Sequence, residues 1–184
     1  MKITTTRIPN LLIIEPRVFE DKRGYFFESY NQASFEKQNI PASFLQDNES
    51  KSIYGTIRGL HYQLAPYAQT KLMRVVEGAI WDVAVDIRQG SPTYGKWEGI
   101  ELTAVNKKQL LIPKGFAHGF AVLSQQAIVQ YKCDAFYQPK AERGIHYADN
   151  DLSIDWHIPE NMAILSAKDT QHPMLKEAEI NFTY

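Results

Sequence analysis

The sequence predicts a mainly β domain, a jelly-roll barrel or sandwich with a few short helices. Two observations predict it. Short runs rich in Val, Ile and aromatic residues recur along the chain, punctuated by Gly, Pro, Asn and Asp. Only two stretches carry a helical pattern. Many short strands at regular spacing favour two packed sheets or a closed barrel, whose mouth is wide enough for a ligand. A length of 184 residues fits one domain over 1–184. Hydrophobic residues make up 44% and charged residues 22%, enough to fill a core and keep the chain in solution.

The elements follow in order. The region from Ile3 to Ile14 is a candidate N-terminal strand region. Asn31 is placed to cap a helix over Gln32–Gln38. A strand carrying His61 and Gln63 directs both side chains to one face. Leu72–Glu77, Gly78 and Ala79–Ile87 read as strand, turn and strand. In the second of these, Ile80, Asp82, Ala84 and Asp86 share one face, and Trp81, Val83, Val85 and Ile87 share the other, strongly apolar one. Further strands are expected at Trp97–Leu102, Gln109–Ile112, Gly119–Leu123 and Ala127–Cys133. A second helix is expected around Asp169–Lys176, weakened by Pro173.

A net charge of −1 excludes the basic excess of a nucleic-acid binder, while local basic residues can still hold a small phosphorylated ligand. The early apolar run Leu11–Ile14 is too short for a signal-peptide core or a membrane span. The lone Cys133 has no second thiol nearby and reads as a buried filler. Together these lead us to expect a cytoplasmic protein with no membrane partner.

Chemistry concentrates in four places. Arg58-Gly-Leu-His-Tyr-Gln63 and Lys71 crowd Arg, His, Gln and Lys into fourteen positions, more than a stray structural histidine explains. Pro113-Lys-Gly-Phe-Ala-His-Gly-Phe120 sets a tight turn from which His118 opens a strand. This Pro-x-Gly-x-x-His element is similar to the second sequence motif of the cupin barrels. Their metal-binding members carry His-x-His and then Glu in the first motif. Here that place reads His61-Tyr62-Gln63, and Glu77 lies beyond the usual spacing. Too few ligands remain for a stable metal site of that kind, so none is expected. Tyr131 shares a face with Val129 and Cys133, and on the bare sequence packing is the simpler role for it. In Ser166-Ala-Lys-Asp169 a Lys-Asp pair reads as solvated loop unless something else recruits it.

Taken together, these segments resemble the cupin-fold dTDP-4-dehydrorhamnose 3,5-epimerases almost end to end. The resemblance runs from Asp21-Lys-Arg-Gly-Tyr-Phe-Phe-Glu28 through Leu45-Gln-Asp-Asn-Glu-Ser50, Arg58–Gln63, Gln69-Thr-Lys-Leu72, Asp82–Arg88, Ser91–Trp97 and Pro113–Phe120 to Leu165–Asp169. Residues 146–150, His-Tyr-Ala-Asp-Asn, depart from the family's Trp-Asn-Asp-Pro-like segment and touch no assigned role.

The resemblance implies inversion at C3 and C5 of dTDP-4-dehydro-6-deoxy-D-glucose, a dTDP-4-keto-6-deoxyhexose, by a homodimer without cofactor or metal. It implies His61 as base, Asp169 as the carboxylate orienting it, Lys71 as stabiliser of the enolate oxygen and Tyr131 as proton donor on the opposite face. An imidazole suits the first role because it is a free base near neutral pH. Arg23, Arg58 and Lys168 would bind diphosphate and other ligand oxygens. Glu28, Gln46 and Asn48 would contact the nucleotide, Tyr137 would stack on thymine, and His118 and Glu142 complete the set. For Glu142 a salt bridge to a nearby Arg is an equal alternative. Rival readings are a mono-epimerase or ketoisomerase on a related dTDP-4-keto-6-deoxysugar, a metal-dependent cupin oxygenase, and a non-catalytic sugar-nucleotide-binding module.

Overall fold

The computed structural model describes residues 1–40 and 43–184. In chain order the strands are β1 (Lys2–Thr5), β2 (Leu12–Glu15), β3 (Phe19–Asp21) and β4 (Gly24–Phe26). The helix α1 (Gln32–Glu36) follows. Then come β5 (Gln46–Ile53), β6 (Ile57–Gln63), β7 (Lys71–Glu77), β8 (Ala79–Asp86) and β9 (Trp97–Thr103). Last are β10 (Gln109–Ile112), β11 (Phe116–Val122), β12 (Gln126–Cys133) and β13 (Glu142–Gly144).

Two antiparallel sheets form the body. One has the order β1-β2-β10-β7-β12-β5 and the other β13-β6-β11-β8-β9. Strands β3 and β4 pair apart from both. No helix among the described residues is long and apolar enough to cross a membrane.

Both sheets are covered on both faces, which makes four layers. Between the sheets lie Met73, Val75, Ile80, Ala84, Phe120 and Val129. On the outside of the six-stranded sheet, Phe35 of α1 and Ile40 pack on Ile14, Leu72 and Leu111. On the outside of the five-stranded sheet, the C-terminal segment brings Leu152, Trp156, Leu175 and Phe182 onto Val83, Val85 and Ile87. Burying such side chains contributes about 1.5–3 kcal/mol each. This explains β8. Its apolar face, Trp81 to Ile87, lies under the C-terminal segment, while the face with Asp82 looks into the interior between the sheets.

Local chemistry fixes the elements largely as the sequence implies. The Asn31 side chain accepts from Ser34 N–H and starts α1, which ends two residues earlier than expected. Gly78 joins β7 to β8 with φ at +79°, and a Cβ there would fall 2.1 Å from the Gln126 carbonyl oxygen. Strand β11 begins at Phe116 rather than Gly119, so His118 lies inside the strand and not at its start. The helix expected at Asp169–Lys176 is absent. Two 3₁₀ turns, Asp169–Gln171 and Leu175–Glu177, stand in its place. Pro173 lies between them and lacks the N–H a continuous helix needs there. The looser segment 146–150 holds the C-terminal segment together, because the buried Asp149 carboxylate accepts from the N–H groups of Asp151, Leu152 and Leu175.

Candidate active site

The five-stranded sheet supplies the histidines. His61 on β6 and His118 on β11 are direct cross-strand partners. The six-stranded sheet supplies Lys71, which opens β7, and Tyr131 on the adjacent β12. His61, Lys71 and Tyr131 line two cavities at once, one of about 810 Å³ and one of about 300 Å³. The three therefore stand where the two spaces meet, with the imidazole on one sheet and the ammonium and phenol on the other.

His61 Nε2 lies 2.6 Å from Asp169 Oδ1. With the carboxylate ionised, the imidazole must donate, which leaves the lone pair of Nδ1 free. Asp169 is buried. Burial pushes its carboxyl up, but the hydrogen bonds from His61 and Ser166, with His172 nearby, outweigh this and hold it below the usual range. The link spans 108 residues of sequence and is made by the 3₁₀ turn that replaced the expected helix.

Burial shifts the pKa of each remaining group. Burial lowers the Lys71 ammonium pKa, against the opposing charges of Asp82 and Glu142. Burial raises the Tyr131 phenol, so it keeps its proton as a donor must. His118 Nε2 donates to Asp82 Oδ1 at 2.6 Å, and burial lowers the His118 pKa despite that partner. Asp82 Oδ2 is buried with no hydrogen-bond partner among the described residues.

Arg58 and Lys168 line the larger cavity. Gln46, Asn48, Tyr137 and Glu142 line the smaller one. Glu142 pairs with Lys168 at 2.5 Å and accepts from the Tyr137 hydroxyl at 2.6 Å. Its ion pair is therefore with a lysine, while the adjacent Arg143 pairs with Glu179. Burial pushes the Glu142 carboxyl up, and the Lys168 and Tyr137 hydrogen bonds outweigh it and lower the pKa. Glu77, the doubtful cupin ligand, is exposed and bonds Gln126.

Two predicted residues are not brought to these cavities. Arg23 is exposed and pairs with Asp21 at 2.6 Å. Glu28 bonds Asn31 and lines a separate cavity with Arg17, Phe19 and Phe26. Two residues went unassigned in the sequence. Asp82 had a signal, since a carboxylate within an apolar strand needs a partner. His172, whose ring lies beside His61, had none beyond its nearness to Asp169.

A cupin-like barrel whose interior opposes an Asp-held imidazole to a phenol and an ammonium is built for proton transfer at carbon. The sequence profile of the dTDP-4-dehydrorhamnose 3,5-epimerase family matches residues 5–177. The chain belongs to that family of isomerases. The enzyme of that name from Shigella flexneri is 50% identical over 182 residues, covering 98% of this chain and 94% of the relative. The crystal structure of the dTDP-4-dehydrorhamnose 3,5-epimerase from Elizabethkingia anophelis superposes with a TM-score of 0.93 at 52% identity, over 96% of this chain and 97% of that one. The dTDP-6-deoxy-D-glucose-3,5-epimerase from Legionella pneumophila, solved in complex with dTDP-4-keto-L-rhamnose, does so with 0.92 at 48% identity, over 96% and 93%.

Proposed function

We propose that His61, Asp169, Lys71 and Tyr131 carry out the family reaction here, inverting C3 and C5 of dTDP-4-dehydro-6-deoxy-D-glucose to give dTDP-4-dehydro-L-rhamnose. The C4 ketone acidifies the hydrogens on both neighbouring carbons. His61 Nδ1 takes the proton from carbon, the C–H electrons form a C=C bond to C4, and the charge moves onto the ketone oxygen. Lys71 stabilises that oxygen. Tyr131 then gives its proton to the same carbon from the other side, the carbonyl re-forms, and the configuration is inverted.

The observation that carries this reading is the placement of base and acid on opposing sheets around one shared space. An enolate is planar at the reacting carbon. Slotted between the sheets, it meets the imidazole on one face and the phenol on the other. In the same reading Arg58 and Lys168 hold ligand oxygens, His118 contacts the sugar, and Gln46, Asn48, Tyr137 and Glu142 take the nucleotide end. The test is NMR of the product formed from dTDP-4-dehydro-6-deoxy-D-glucose. Inversion at both carbons is expected. Inversion at one carbon would contradict the double reaction, and unchanged substrate with folded protein would remove the catalytic reading.

The single domain acts as a homodimer in the cytoplasm in this reading. Support for the dimer comes from the β3–β4 hairpin. Phe19, Tyr25 and Phe26 there are 51%, 56% and 67% exposed, an apolar patch beside Arg23 that a second copy would cover. Arg23 and Glu28 join the binding set only in such an assembly. A single cysteine, and so no internal disulfide, fits the location.

A further inference from the structure

His172 has no part in the reaction described above, yet its ring lies edge-on to His61, with centroids 5.4 Å apart. Its Nε2 faces the same oxygen that His61 uses, 3.6 Å from Asp169 Oδ1. That separation is too long for a hydrogen bond. The nitrogen is buried and has no hydrogen-bond partner among the described residues, an unmet need that calls for an explanation. One ligand atom from each of His61, Asp169 and His172 lies within 4.8 Å of the others. A glycine makes the seat. Gly144, the register partner of His61 on β13, would place a Cβ 2.4 Å from the His172 ring. Any other residue there would push the second imidazole off the carboxylate.

We propose that His61, Asp169 and His172 form a zinc-binding site that switches off the catalytic base. Two imidazoles and a carboxylate are a zinc ligand set, with solvent from the cavity completing four-coordination. Zinc–ligand bonds of about 2.0–2.2 Å put tetrahedral ligand atoms roughly 3.3–3.6 Å apart. The His172–Asp169 separation of 3.6 Å already fits, and the His61–Asp169 contact must open from 2.6 Å by under about 1 Å. The consequence lies in the tautomer. When His61 Nε2–H donates to the ionised Asp169, the Nδ1 lone pair is the one left to take a substrate proton. A neutral imidazole that gives its Nε2 lone pair to zinc carries its proton on Nδ1. Base and ligand are then exclusive states of one ring, and bound zinc leaves no lone pair for a C–H proton.

The binding part of this proposal stands apart from the role of His61, whereas the inhibition part rests on that role. The experiment separates them. Zinc chloride is titrated calorimetrically into the metal-free full chain and into two variants, His172→Gln and His172→Asn, whose melting curves are recorded alongside. One ion per chain is expected for the wild type. Affinity should be at least tenfold weaker in both variants, since even losing an outer partner of a ligand costs about 10–100-fold. Epimerase activity of the wild type should fall on saturation and return on adding a chelator. The absence of binding to the wild type, or equal binding by folded variants, would overturn the site. Binding that depends on His172 but leaves wild-type activity intact would uphold the site and overturn the inhibition, and with it the reading of His61 as base.

Discussion

Asp82 and Asp86 stand four residues apart on β8 with no exposed surface, and their surroundings differ completely. Asp86 accepts five hydrogen bonds: from Arg88 N, Nε and Nη2, from Ser91 Oγ and from Thr93 Oγ1. The Arg88 guanidinium in turn lies over the rings of Phe116 and Tyr184, at 4.6 and 4.9 Å. Asp82 has one bond, from His118, and an oxygen left over. Burial pushes the Asp86 carboxyl up, and its bonds outweigh that and hold it below the usual range. A buried carboxylate with both oxygens fully bonded fastens structure. Asp82, with one oxygen unpartnered among the described residues, holds the ring of His118, a residue of the larger cavity, and contributes less to stability.

The contrast can be broken most forcefully at Asp86. Asp86→Ala leaves the buried Arg88 charge without its partner and should cost about 3–5 kcal/mol in urea unfolding. The pH dependence has a definite sign. A carboxyl lowered by folding adds stability that is complete above its unfolded value of about 3.9 and lost as pH falls through the folded one. Asp86→Asn should therefore flatten the stability curve below about pH 4. An unfolding midpoint unchanged from wild type would show that Asp86 is not the fastening its bonds imply.

At the site, activity should fall while stability holds. Lys71→Met should lower kcat by about 10²–10³-fold, the scale for losing one preorganised donor to a developing oxyanion. It should leave stability equal or higher, because the ammonium that burial disfavours is gone. A variant that unfolds readily but turns over normally would place Lys71 with the structural groups instead. The smallest effect is expected at Asp82. Asp82→Asn still offers His118 an acceptor, so stability should shift by less than about 1.5 kcal/mol. A loss as large as that of Asp86→Ala would erase the distinction.

Much of this was legible in the sequence, for reasons that can be located. Glycine and proline punctuation exposed most strands, and period-two alternation put Asp82 and Asp86 on one face of β8. Alternation could not say which face looks inward, because α1 and the C-terminal segment bury the outer faces of both sheets. The clustering around His61 was visible locally, whereas Tyr131 looked like packing and only the family resemblance assigned it a role. The contact with Asp169 spans 108 residues, and no spacing rule reaches so far. The helix expected there failed because Pro173 outweighed the surrounding pattern. Arg23 and Glu28 illustrate another limit: their motif is present, but a single chain does not bring them to the cavities.

The central claim is that the Asp-held imidazole on one sheet removes the protons beside the ketone. The most direct measurement is hydrogen exchange from heavy water into the 4-keto sugar nucleotide, read at C3 and C5 by NMR, for the wild type and for His61→Ala. Deuterium should enter both carbons with the wild type and be nearly lost at both in folded His61→Ala, a fall on the order of 10²–10⁴-fold for a general base. Exchange persisting at the wild-type rate in the variant would contradict the account.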